Sequence, residues 1–146
     1  MKKSDFEYDA NLFREEMASA DFAAKYAAGK LLAMFDHWRE LGERYLDGAV
    51  LISPASGESR IDGEVMGKKF SVRYQAGLRT GSGMVEAAVC TSSLISLEPI
   101  EVVRFLVDQN GTILSVTGEE LVNQDHPQAS YVTFAAIIRR VLNASS

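Results

Sequence analysis

At Gly48 the spacing of apolar residues changes, and that change decides what kind of domain the chain can build. Upstream, between Asp21 and Leu46, apolar side chains recur three and four residues apart. Ala24, Ala28, Leu31, Phe35, Trp38 and Tyr45 form a stripe, with Leu32, Leu41 and Leu46 widening it. That is the period of a helix buried along one side. Downstream, apolar and polar residues alternate in "RIDGEVM" and "FSVRYQA", the period of a strand with one covered face. Near the end, Tyr131, Phe134, Ile137, Ile138, Val141 and Leu142 return to helical spacing.

Helix, sheet, helix in that order predicts a two-layer α+β domain, because two amphipathic helices bury their stripes on one face of a single sheet. The expected organisation is one domain over 1–146. It has an N-terminal segment (1–20), a main helix (21–47), an antiparallel meander of four to six strands (49–118) and a C-terminal helix (125–143) on the same sheet face as the first. In the N-terminal segment, Phe6, Leu12, Phe13 and Met17 suggest a further helical stretch that Asp9 caps. Asp125 is the expected cap of the last helix, with Pro127 in its first turn.

Within the meander, Asn110-Gly111 between two β-rich runs predicts a two-residue type I′ hairpin turn. That turn would set Gln109 opposite Thr112, Val107 opposite Leu114 and Phe105 opposite Val116. Phe70, Val72, Tyr74, Val103, Phe105, Val107, Leu114 and Val116 then face the helices. The opposite face receives Arg60, Asp62, Glu64, Ser71, Arg73 and Gln75 from the early strands. From the late strands it receives Ile100, Val102, Arg104, Leu106 and Ile113, an apolar set too large to leave to water.

Composition narrows the function classes. Twenty acidic against fifteen basic residues, net charge −5, disfavour nucleic acid, which is held mainly by Lys and Arg. No apolar run approaches the roughly 18 residues of a membrane span, and no leader stands behind Lys2 and Lys3. The single cysteine, Cys90, fits a cytoplasmic protein and reads as a small buried hydrophobe in a β-run.

No motif names a reaction, cofactor or metal. "MFDHWRELGERY" (34–45) is dense in titratable groups, yet about 100° per residue sends His37, Glu40 and Arg44 away from Trp38 and Tyr45. Spacings of three and four residues let those charges pair along a solvated face. His37 and Glu40 alone do not make a metal site. Tyr26 lies on the same outward side, unremarkable as a lone exposed aromatic. "GLRTGSG" (77–83) lacks the following helix and Lys-Ser or Lys-Thr pair of a phosphate loop and reads as a flexible hairpin loop. Ser53, Ser56 and Ser82 lack a nucleophile-elbow pattern.

The expectation is a small acidic, non-catalytic protein-binding module, comparable with chaperones, immunity proteins or inhibitors only in size, charge and element order. It binds another protein, or itself as a homodimer, through Arg73, Ile100, Val102, Arg104, Leu106 and Ile113, with no cofactor. Two other readings are a structural subunit of a larger assembly and a small-ligand protein or enzyme. The latter would have a pocket between helix and curved sheet, lined by Trp38, Arg39, Glu43 and Tyr74.

Overall fold

The computed structural model describes residues 1–53 and 57–144, so Ser56 falls outside it. A short 3₁₀ turn, Lys3–Phe6, leads into one long helix, α1 (Ala10–Glu40). The N-terminal helical stretch and the main helix are therefore continuous. Asp9 caps α1, its Oδ1 accepting from the backbone N–H groups of Asn11 (2.9 Å) and Leu12 (3.1 Å).

Seven strands come next: β1 (Val50–Ile52), β2 (Arg60–Val65), β3 (Lys68–Arg79), β4 (Ser82–Ser92), β5 (Pro99–Val107), β6 (Ile113–Leu114) and β7 (Glu120–Val122). Each pairs antiparallel with the next in sequence. The meander expected from the alternation is present, with one strand more than the predicted range because β6 and β7 are too short to show a period. Helix α2 (Ala129–Asn143) closes the chain.

One core holds the two layers together. Ala27, Leu31, Phe35 and Trp38 of α1 and Phe134, Ile137 and Val141 of α2 pack on Phe70, Val72, Val85, Ala87, Val89, Phe105 and Val107. Both helices thus lie on one face of the sheet. Where α1 crosses β4, Gly83 is required: a Cβ there would collide with the Ala20 backbone. A second close approach, Gly42 against the Val50 carbonyl, brings β1 directly onto the end of the helix.

That end departs from α-geometry. Residues 41–45 form a π-type turn, with the Leu46 N–H donating to the Leu41 carbonyl five residues back at 2.9 Å. The extra residue in the turn rotates Tyr45 out of the stripe that was expected to bury it. Its ring is exposed and meets Tyr131 edge-on.

Turn chemistry differs from expectation in two places. The segment expected as a loop at 77–83 is mostly strand, since β3 and β4 run to the two-residue turn Thr80-Gly81. Both turn residues have positive φ (48° and 79°), and Met66-Gly67 does the same between β2 and β3 (51° and 84°), so these are the hairpins with the expected I′ backbone. At Asn110-Gly111 the loop is one residue longer. The Gly111 N–H donates to the Asp108 carbonyl at 3.0 Å, Gly111 has φ 91°, and Val107 pairs with Ile113: a three-residue loop with a glycine bulge. Asp108 organises it, its Oδ1 accepting from the N–H groups of Asn110 (2.9 Å) and Thr112 (3.0 Å).

One extra loop residue exchanges the faces of the strand beyond it. Ile113, expected outward, joins Val107 in the core, while Leu114 pairs with Leu106 on the other side. Val116, expected opposite Phe105, lies past β6 and is exposed.

The start of α2 is also shifted. Asp125 does not cap it; the helix begins at Ala129, after a turn in which His126 Nδ1 accepts from the Gln128 N–H at 3.0 Å. The helix is fixed to α1 by its first turn. Trp38 Nε1 donates to the Ser130 carbonyl (3.0 Å), the Trp38 ring stacks on Phe134 (5.8 Å between centroids), and His37 Nδ1 lies 2.8 Å from Ser130 Oγ. His37 is exposed as expected, but it is not idle.

Candidate functional site: the uncovered sheet face

With both helices on one side, the described residues leave the opposite face of β2–β5 without a helix. Alternation and register decide what that face shows. Arg60, Asp62 and Glu64 of β2 pair with Arg73, Ser71 and Lys69 of β3, and β4 brings Ala88 and Cys90 beside Arg73 and Ser71. Cys90, expected buried, is only half-buried here, its neighbours being Ser71 and Glu101.

β5 contributes less apolar surface than alternation predicts, because it carries a β-bulge. Val89 pairs with Val103 but Cys90 with Glu101, so Val102 is an extra residue. Before the bulge the faces are exchanged. Ile100, expected outward, pairs with the buried Thr91, and Val102 and Val103 both pack against the core. Glu101 takes the outer position instead. Leu106 does alternate outward, opposite Glu86, but it is 1 % exposed and gives a partner nothing to touch. Of the six residues expected to form the interface, Arg73 and Arg104 are exposed on this face. Ile100 and Val102 are half-buried; Leu106 and Ile113 are buried. The apolar patch that alternation predicts is absent.

A charged network stands in its place. Arg104 donates to Glu86 through Nη1 at 2.7 Å and to Glu101 through Nε at 3.1 Å and through Nη2, while Arg79 Nη2 reaches Glu86 at 3.3 Å. The bulge makes this possible, since residues three apart in a regular strand point to opposite faces. Glu86, with a side chain 15 % exposed, is held below the usual carboxylate range. The Arg104 hydrogen bond is the largest cause and outweighs desolvation, with the charges of Arg104 and Arg79 adding to it. Arg104 is held protonated far above neutral pH by Glu101 first and Glu86 second.

Next to this network the face is hollow. A recess of about 540 Å³ is lined by Leu51, Asp62, Glu64, Lys69, Ser71, Arg73 and Cys90 among others, and a smaller one of about 190 Å³ lies between Arg73, Gln75, Glu86 and Arg104. Arg73 lines both. Arg60 is paired with Glu58 (3.6 Å) and Asp62 (3.4 Å) and Arg104 with Glu86 and Glu101, whereas Arg73 has no ion pair among the described residues.

Comparison with known protein families, with characterised proteins and with solved structures finds no match to this chain.

The pocket expected between helix and sheet is filled. Trp38 is buried at the α1–α2 contact, and Arg39 lies on the helix edge 4.0 Å from Asp36. Glu43 is exposed on the π-type turn, and the Tyr74 ring leans on Phe35 at 5.9 Å. They do not converge on a common cavity. Among the described residues no group of three or more His, Cys, Asp and Glu is placed to hold a metal, and no helix is long and apolar enough to cross a membrane.

Proposed function

We propose that this chain is a non-catalytic protein-binding module of the cytoplasm that receives its partner on the uncovered face of the sheet. The observation that carries this reading is Arg73. It projects from the middle strands between two recesses, next to arginines that are already neutralised, and has no ion pair of its own among the described residues.

An exposed arginine held on a rigid strand is suited to bidentate pairing with a carboxylate. The surrounding rim of fixed ion pairs sets register more than affinity. The chemistry that fits is an acidic side chain on a protein segment lying in the recess, with Ser71 and Lys69 as further donors. The thiol of Cys90 in the same recess accords with a reducing compartment.

The test is affinity capture from the native lysate with three baits: wild type, Arg73→Glu, and Arg140→Glu at an exposed position of α2. Proteins kept by wild type and Arg140→Glu but lost by Arg73→Glu support the reading. Identical retention by all three baits refutes it.

A further inference from the structure

Helix α1 carries a second apolar stripe that the core does not use. Ala18, Phe22, Tyr26, Gly29 and Ala33 recur at intervals of three and four residues, all exposed, on the side turned away from the sheet. Over these four turns the stripe has no charged residue, where a solvent-facing helix side is normally polar. Phe22 and Tyr26 are 59 % and 55 % exposed and lie against one another, ring centroids 4.6 Å apart. Gly29 is the second anomaly. Glycine is a poor residue in a helix interior, and here no close approach among the described residues requires it, since a Cβ added there meets none of their atoms within 4 Å.

We infer that this face is where a second copy of the chain docks, α1 against α1 in antiparallel orientation about a two-fold axis beside Tyr26. Antiparallel pairing about that axis sets residues whose numbers sum to about 51 level with one another. Each Phe22 then meets the space left by Gly29 of the other copy, and each Ala18 meets Ala33. Large residues face small ones, which is how closely packed helix pairs interlock. The arrangement is closed, as a two-fold interface must be.

The size of the face sets how tightly the copies hold. Phe22 and Tyr26, each a little over half exposed, offer roughly 200 Å² of ring surface per copy. The two alanines, the bare backbone at Gly29 and the aliphatic stem of Lys25 at the margin bring the contact to roughly 400–500 Å² per copy. Specific, stable interfaces of standard size cover about 800 Å² per partner and permanent ones more, so a face of this size makes a dimer that forms and dissociates with concentration. Phe13 and Met17, also exposed, lie on the opposite side of α1 and take no part in it.

Sedimentation equilibrium from micromolar to several hundred micromolar protein tests this, with circular dichroism as the check on folding. Wild type is expected to rise with concentration toward twice the 16.0 kDa of the chain. Tyr26→Glu, which puts two like charges beside the axis, and Gly29→Leu, which fills the seat of Phe22, are expected to keep their helicity and weaken association by at least about tenfold. In a Cys90→Ser background, Tyr26→Cys should cross-link to itself on oxidation. A wild type that is monomeric throughout, a Tyr26→Glu dimer as tight as wild type, or no cross-link at residue 26 overturns the inference. The sheet-face reading is separate: Arg73→Glu should leave the mass unchanged.

Discussion

Replacing Trp38 with alanine tests the joint between the two helices. The side chain is 1 % exposed and touches Phe35, Phe134 and, through Nε1, the Ser130 carbonyl. Burying an indole removes on the order of 200 Å² from water. At about 25 cal/mol per Å² that is roughly 5 kcal/mol, of which alanine would retain a part. The hydrogen bond to the Ser130 carbonyl adds about 1 kcal/mol. The expected loss is therefore about 3–5 kcal/mol, within the range for buried aromatics truncated to alanine and a large share of the roughly 5–15 kcal/mol that holds a domain folded. Urea unfolding followed by circular dichroism measures it, since Trp38 is the chain's single tryptophan and its fluorescence disappears with the mutation. Trp38→Phe separates the two contributions, keeping the stack on Phe134 and losing the Ser130 bond; it should cost about 1–2 kcal/mol. A Trp38→Ala loss below about 1 kcal/mol would mean that α2 is not anchored through this ring, and the description of the joint would fall.

Leu106→Glu should unfold the domain, because that side chain is buried despite alternating away from the helices; a folded variant with a native spectrum would show the site to be open. Gly83→Ala should cost about 1–3 kcal/mol in denaturant unfolding, as a Cβ has to push α1 off β4 at Ala20, and a neutral result would contradict the close approach. Glu86 has a pH signature. Its folded-state pKa lies below its ordinary 4.5, so its contribution to stability is complete above that value and disappears as pH falls through the lower folded-state value. Melting temperatures of wild type and Glu86→Gln should therefore differ at neutral pH and converge in acid; an offset that stays constant to about pH 2 would refute the assignment.

How much of the fold is legible in the sequence depends on how local each signal is. The α1 stripe from Ala24 to Trp38, the Asp9 cap and the faces of Phe70, Val72, Ser71 and Arg73 depend on neighbours a few residues away, and periodicity finds them. The late strands do not. The Asn110-Gly111 pair is a strong turn signal, but the Asp108 carboxylate recruits two backbone N–H groups and lengthens the loop by one residue. The bulge at Val102 leaves no mark in "PIEVVRF", where either valine satisfies a β-run. Between them these two single-residue events remove Ile100, Val102 and Ile113 from the expected apolar patch, while Leu106 keeps its expected side but is buried. The network that replaces the patch is invisible to periodicity, because Glu86, Glu101 and Arg104 come together only once register is known. Tyr26 is visible as a lone aromatic; Phe22, one turn earlier on the same side, is what makes it part of a surface.

The bulge in β5 has a consequence for how this chain tolerates change. The strand is in effect written in two reading frames joined at Val102: before it, even positions turn toward the helices, and after it, odd ones do. Deleting Val102 would remove the bulge and merge the frames, leaving Glu101 outward and Ile100 inward, whereas drawing Val102 into a regular ladder would drive Glu101 toward the core and expel Ile100. Deleting a residue in the loop after Ser92 would only shorten a connection. Related chains lacking the extra residue would keep the same order of polar and apolar residues at Ile100 and Glu101, so an alignment without a gap at Val102 would set the first part of this strand one residue out of step.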